Sequence, residues 1–279
     1  MSQIAPVRDL TAQSALGRID LTWRAKSYTP LVDHFAVHAS TDPKFRPGAE
    51  NLLGKTVYAR LRHDNLGPAK QTRYYRVVTV DAAGERSRPS ELLRASSTES
   101  VTIAGRPVAV VGTFDRKSLE LALAPSGYNQ FLTRFPNGVD YTHGVSAAAT
   151  DWAYLHPGPA DKWAGSKAHT FTLRFGLDAV PAKDLALAVW LIDTHATTPG
   201  KLVVACNGNA VTEAVLEKGA TKGSTQGDAT VPGTPLRPSI VEVPLPRGTL
   251  VAGQNVLTFA KPEGSWHAYD AVGVFAPRG

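Results

Sequence analysis

One cysteine and one methionine stand among 279 residues, and each scarcity excludes something. With Cys206 alone, no internal disulfide can form and no cysteine set exists to hold zinc. Cys206 sits in the apolar run "KLVVACNGNAV", where a buried, inert thiol is expected rather than a nucleophile. No apolar run is long enough to cross a bilayer as a helix, so no membrane partner is expected. The start, "MSQIAPVRDL", lacks a charged segment followed by an apolar one, so no secretory leader is expected within it. The histidines show no H-E-x-x-H signature, and neither G-x-S-x-G nor a phosphate-cradling glycine loop occurs. Basic clusters are also missing. The 30 Lys+Arg against 24 Asp+Glu give a net charge of +6, but the excess is scattered. It favours contact with polyanions such as acidic polysaccharides, and without a motif it does not argue for nucleic acid.

A convincing 3.6-residue apolar stripe is lacking too. What recurs instead is alternation over short runs bounded by Gly, Pro, Asn and Asp: "RIDLTWRA", "HFAVHAST", "YYRVVTVDA", "HTFTLRFGL", "LALAVWLID", "SIVEVPLP" and "NVLTFAKP". Period two with β-branched and aromatic residues predicts strands. The 43% hydrophobic content supports a sizeable core, so the expectation is an all-β protein of sandwich type. "AVTEAVLEKGA" is at most a short helix or an irregular turn. "CNGNAV" holds an Asn-Gly pair, the strongest short hairpin signal, which favours a turn role for Asn207 and Asn209 over a ligand role.

The small-polar stretch "ASSTESVTIAGRP" predicts a boundary, with domains at residues 1–97 and 104–279. The first resembles a fibronectin type III domain. The likeness rests on Trp23 in "RIDLTWRA", on the leucine of "DNLGPAKQTRYYRV" and on "YYRVVTVDAAGERSRPS". It implies an immunoglobulin-like sandwich in which Trp23, Leu66 and the first tyrosine of the late strand, Tyr74, form the core. Such domains act as spacers and platforms, and the fold by itself names no activity.

The second domain resembles the C-terminal, carbohydrate-binding-like domain of rhamnogalacturonan lyases (polysaccharide lyase family 4). Four segments carry the likeness, in order: "VVGTFDRKSLELALA", "GVDYTHGVSAAATDWAYLHPG", "HTFTLRFGL…LALAVWLIDTHATTPGKLVVACNGNAV" and "LVAGQNVLTFAKPEGSWHAYDAVGVF". It implies a β-jelly-roll sandwich and a secreted or extracellular setting as part of a larger protein. It also implies a polysaccharide partner, acidic and rhamnose-containing, and a catalytic domain with no counterpart here. No cofactor is implied. A structural Ca2+ on backbone carbonyls, common in jelly rolls, leaves no sequence signature.

Sugars stack their apolar face on Trp or Tyr, while charged and polar side chains satisfy the hydroxyls and carboxylates. The stretch "DWAYLHPGPADKWAGSKAHTF" therefore supplies Trp152, Tyr154, His156, Trp163 and Lys167 as candidate glycan-binding residues. "GSWHAYD" supplies Trp266, His267 and Tyr269, with Asp270 beside them. The alternative is that Trp152 and Trp266 close the open end of the sandwich and that Tyr269 and Asp270 are structural. Trp163, flanked by Lys162, Gly165 and Ser166, is expected to be exposed. Asp193 and His195 in "WLIDTHATT" are an alternate-residue pair that either act as base and orienter or cap the strand end.

No catalytic residue is expected. The leading functional reading is a non-catalytic accessory region, a spacer followed by a glycan-binding module. The alternatives are two purely structural modules, or a polysaccharide lyase or hydrolase acting on its own.

Overall fold

The computed structural model describes residues 4–25 and 31–278. The chain forms two compact units that divide between Ile103 and Ala104.

The first unit contains β1 (Arg8–Ala15), β2 (Arg18–Arg24), β3 (Val32–Ser40), β4 (Leu52–Thr56), β5 (Arg60–His63), β6 (Thr72–Asp81) and β7 (Leu93–Ser96). One sheet runs β1-β2-β5 and the other β4-β3-β6-β7. This is a fibronectin type III sandwich. The alternation in β2 works as expected, with Ile19, Leu21 and Trp23 buried on one face. Trp23 meets Phe35 edge-on at 5.6 Å. One expectation needs correcting. The core tyrosine of β6 is Tyr75, fully buried, whereas Tyr74 is only half-buried. A strand turns alternate residues inward, and it is Tyr75 that shares its face with Val77. The outer edge of β6 is completed by serines rather than by a full strand. The Ser87 and Ser90 hydroxyls accept from the amides of Thr79 and Val77, each at 3.0 Å. Pro89, between them, has no amide to offer a ladder.

The second unit contains β8 (Gly105–Gly112), β9 (Val139–Thr142), β10 (Leu155–His156), β11 (His169–Leu177), β12 (Leu185–Thr194), β13 (Lys201–Cys206), β14 (Asn209–Val215), β15 (Ser239–Leu245), β16 (Gly253–Lys261) and β17 (His267–Pro277). One sheet runs β10-β17-β12-β15, with β8 also paired to β17. The facing sheet runs β14-β13-β16-β11-β9. Together they make the jelly-roll sandwich. The run "AVTEAVLEKGA" forms β14 and a loop, not a helix, because β13 offers it a ladder from Lys201 to Cys206. The turn between them is Asn207-Gly208, both at positive φ (50° and 80°), the conformation a tight two-residue hairpin demands.

β12 and β17 are buried on both faces, which explains their near-continuous apolar sequences. Their inner face meets the other sheet. Outside, Phe114 packs edge-on against Trp190 at 5.3 Å and at a tilt against Phe275 at 5.6 Å.

Candidate functional site

The segment from Asp151 to Phe171 divides into an inner and an outer part. Trp152 is fully buried and sits edge-on to Tyr141, Phe171, Phe259 and Tyr269, at 5.3–6.2 Å. Tyr154 is also buried, and its hydroxyl donates to the carbonyl of Ser224 at 2.8 Å. His156 lies flat on Phe171, with ring centroids 4.0 Å apart. Trp266, His267 and Tyr269 are likewise in the core. Stacking a pyranose requires an open ring face. Trp152, Tyr154, His156, Trp266, His267 and Tyr269 have none, so the expectation that they form a sugar platform is corrected. All six are buried in the sandwich; for Trp152, Trp266 and Tyr269 this is the structural alternative, whereas Tyr154, His156 and His267 are expected from sequence only as glycan-binding residues.

Beneath the strap formed by residues 157–168 lies an unusual set of buried polar groups. His156 Nε2 donates to the carbonyl of His169 at 2.9 Å, so its Nδ1 accepts from the Tyr269 hydroxyl at 2.9 Å. His169 Nε2 donates to the carbonyl of Ala164 at 2.8 Å. Lys261 is completely buried, and its ammonium donates to the carbonyl of Pro199. Neither ring nitrogen of His267 has a hydrogen-bond partner. Burial disfavours charge here. It lowers His156 to about 3, draws Lys261 down to about 8 and depresses His267 far below its usual range, with the Lys261 charge adding to the effect on both histidines. The strap is pinned above by Asp161, which accepts from the Gly158 amide at 2.8 Å and the Ser265 hydroxyl at 2.6 Å.

This pinned strap carries Trp163, which packs against the edge of the core. Asp161 opens a single 3-10 turn, Lys162–Ala164, which ends at Gly165 in the left-handed conformation. Trp163 is half-buried, edge-on to Tyr128 at 5.1 Å and to buried Phe131 at 6.2 Å. Around the pair Lys162, Lys167, Asn129 and Gln130 are exposed, as is Leu132 near Gly165. Lys167 is exposed, whereas Trp163, expected to be exposed, is half-buried because Tyr128 and Phe131 pack against it. The sequence reading missed Tyr128 and Leu132, because "SGYNQFLTR" carries no strand alternation and lies some thirty-five residues before Trp163. The arrangement supplies apolar ring surface, amide donors and acceptors, and two ammonium groups, the chemistry that holds a carboxylated sugar.

Asp193 and His195 do not form a pair. The Asp193 carboxylate is fully buried and accepts from the amides of Ala220, Lys222 and Gly223 at 2.7–2.8 Å, organising the Gly/Thr-rich loop. His195 turns to Thr197 and Thr198. The capping alternative therefore describes them. Replacing Asp193 with Asn removes the charge from three charge-assisted bonds and is expected to cost about 2–3 kcal/mol. Hydrogen exchange across residues 217–227 checks this, with faster exchange expected there and little change in the first domain.

Asp270 plays a similar part on the other side of β17. Its Oδ1 accepts from the Lys117 amide at 3.0 Å, and burial raises its pKa to about 7. Cys206 is buried with its thiol pushed up, as expected of an inert residue. Asn207 ties the hairpin to Asn255 and Thr249, a turn role. His34 and His38 stand four residues apart, but on β3 that spacing separates their Cα atoms by about 13 Å. Among the described residues, no group of three His, Cys, Asp or Glu is placed to hold a metal ion. No helix among them is long and apolar enough to cross a membrane.

The chain is similar to several solved structures, always at low identity. The fibronectin type III domain of human fibronectin type III domain containing protein 3 matches at 13% identity and TM-score 0.31, over 36% of this chain and 92% of that one. A family 28 exopolygalacturonase of Yersinia enterocolitica matches at 16% identity and TM-score 0.29, over 34% of this chain and 21% of that one. An α-L-rhamnosidase from Dictyoglumus thermophilum matches at 12% identity and TM-score 0.31, over 99% of this chain and 29% of that one. No curated protein matched. Residues 110–274 match the family model "CBM-like: Polysaccharide lyase family 4, domain III". That span is most of the chain and covers eight of the ten strands of the jelly roll in full and parts of β8 and β17, so the chain belongs to the CBM-like, polysaccharide lyase family 4 domain III family.

Proposed function

We propose that this chain is a non-catalytic accessory region of a secreted polysaccharide-degrading protein, in which the Trp163–Tyr128 face holds glycan. The single observation that carries the reading is this half-buried aromatic pair with exposed Lys162 and Lys167 near it, on a domain of carbohydrate-binding-like family. The two ammonium groups favour an acidic polymer, and the family context favours the rhamnose-containing, uronic acid backbone of pectin. The first domain serves as spacer. A catalytic domain carried elsewhere is kept near its polymer by raised local concentration. A shallow platform buries little area, so binding in the range of roughly 10–1000 μM is expected.

Calorimetric titration with rhamnogalacturonan I fragments tests this. The intact chain should bind saturably, Trp163→Ala should weaken binding at least about tenfold while lowering the melting point of the second domain, and Lys167→Gln, at an exposed position, should weaken binding with that melting point little changed. Affinity should also fall with added salt, because the carboxylate contacts are exposed. No new unsaturated sugar ends should appear in the same samples. Absence of heat at millimolar fragment would defeat the reading.

The burial of Trp152, Tyr154, His156, Trp266, His267 and Tyr269 favours a second reading. In it the domain is purely structural and the Trp163 face meets another protein domain. That reading gives no heat with any glycan.

A further inference from the structure

We propose that the first domain carries a saccharide cavity of its own, open at the seam between its two sheets, which takes the carboxylated end of a short acidic glycan. This is independent of the Trp163 face. β4 pairs with β3 in one sheet and β5 with β2 in the other, so no ladder joins β4 to β5. At this seam lies a cavity of about 670 Å3, lined among others by Phe45, Arg46, Glu50, Leu53, His63 and Arg73. Its volume falls within the several hundred cubic ångströms usual for small-ligand sites.

The polar groups are oriented before any ligand arrives. Arg73 is half-buried, and its Nη1 donates to Gln71 Oε1 at 3.2 Å and to the carbonyl of Thr72 at 2.9 Å. The Glu50 carboxylate accepts from Asn51 Nδ2 at 2.9 Å. The same Asn51 amide donates to the carbonyl of Arg46 at 2.8 Å, and its Oδ1 accepts from the Gly48 amide at 3.1 Å, which ties the loop down. His63 is fixed by a 2.8 Å hydrogen bond between its Nδ1 and the Tyr75 hydroxyl. Such preorganisation removes much of the ordering cost of binding.

Two arginines and one glutamate line the cavity, so its net charge favours an anion. Glu50 provides the acceptor that a sugar hydroxyl needs. Phe45 and Leu53, both half-buried, supply apolar wall for the C–H face of a pyranose. Glu50 repels a phosphate more than a singly charged uronate, and a uronic acid also brings hydroxyls that can donate to Glu50, so it uses all three kinds of group.

The test is a digalacturonate titration of the 15N-labelled full chain followed by amide chemical shifts. Saturable shifts are expected within residues 39–53 and at His63 and Arg73. Arg73→Gln, and separately Arg46→Gln at an exposed position that cannot unfold the domain, should each weaken this response at least about fivefold. Neutral galactobiose should bind more weakly than digalacturonate. The Trp163→Ala chain should keep the first-domain response while losing shifts at residues 128–134 and 162–167, so the two sites fail or succeed separately. No shifts in the first domain at about 10 mM ligand, or shifts indifferent to both arginine substitutions, would overturn the proposal. Equal binding of galactobiose would overturn its acidic class.

Discussion

Replacing Trp152 with alanine is expected to lower the thermal midpoint of the second domain by about 10 °C, from a loss of about 3–5 kcal/mol. The residue is fully buried where rings from both sheets converge: Phe171 and Phe259 from one, Tyr269 from the other. Removing the indole deletes apolar contact and leaves a cavity that these large rings cannot easily fill, since each is held by its own strand. The indole nitrogen makes no hydrogen bond, so no polar compensation is lost, and Trp152→Phe should recover much of the stability. Differential scanning calorimetry decides this. The transition of the first domain serves as internal reference and should not move. A shift below about 3 °C for Trp152→Ala would mean that the residue is not the hub of the core.

The buried histidines weaken the second domain as pH falls, and Asp270, raised to about 7, opposes them between about pH 7 and 4, so the net loss is steepest below about pH 4. His156 titrates near 6.5 when unfolded and near 3 in the fold, and His267 is depressed in the same direction. Between these limits the two histidines bind more protons in the unfolded chain than in the folded one, so their contribution to stability falls as pH falls. The contribution is fully present above about pH 6.5 and is lost progressively towards pH 3. At pH 4, His156 alone costs on the order of 3 kcal/mol. Lys261 acts at the other end: its lowered pKa makes the domain gain stability as pH rises from about 8 towards 10.5. His267→Leu removes two unpartnered buried nitrogens and one proton-binding group. The variant should be as stable as the parent at pH 7 and should unfold at a lower pH. Urea midpoints across pH 3–8 measure both. An acid transition identical in parent and variant would rule out His267 as a contributor.

Alternation in "RIDLTWRA" or "HTFTLRFGL" is enough to name a strand and its inward face, because a strand's side-chain period is local geometry. The Asn207-Gly208 hairpin is legible for the same reason, since only certain residues tolerate its φ angles. Which of two adjacent tyrosines enters the core is harder: Tyr74 and Tyr75 differ only by pairing register, and a one-residue shift exchanges faces. The fate of the aromatic segment was not legible at all. Trp152 and Trp163 lie eleven residues apart in similar Gly/Pro-rich company. One is fully buried and the other half-buried, because Asp161 and Ala160 tie the intervening strap to Ser265 and Gly264 in the loop between β16 and β17, while His169 holds the Ala164 carbonyl.

The sequence by itself determined the two-domain all-β architecture, the inert single cysteine and the absence of a membrane-spanning run, since each depends on composition, period or a local turn. Only the tertiary structure decided that most candidate sugar-binding aromatics are core, that Tyr128 packs against Trp163, and that Asp193 and Asp270 serve loops rather than chemistry. Exposure and partnership are properties of what the rest of the chain brings alongside, and long-range pairing of strands is what brings it.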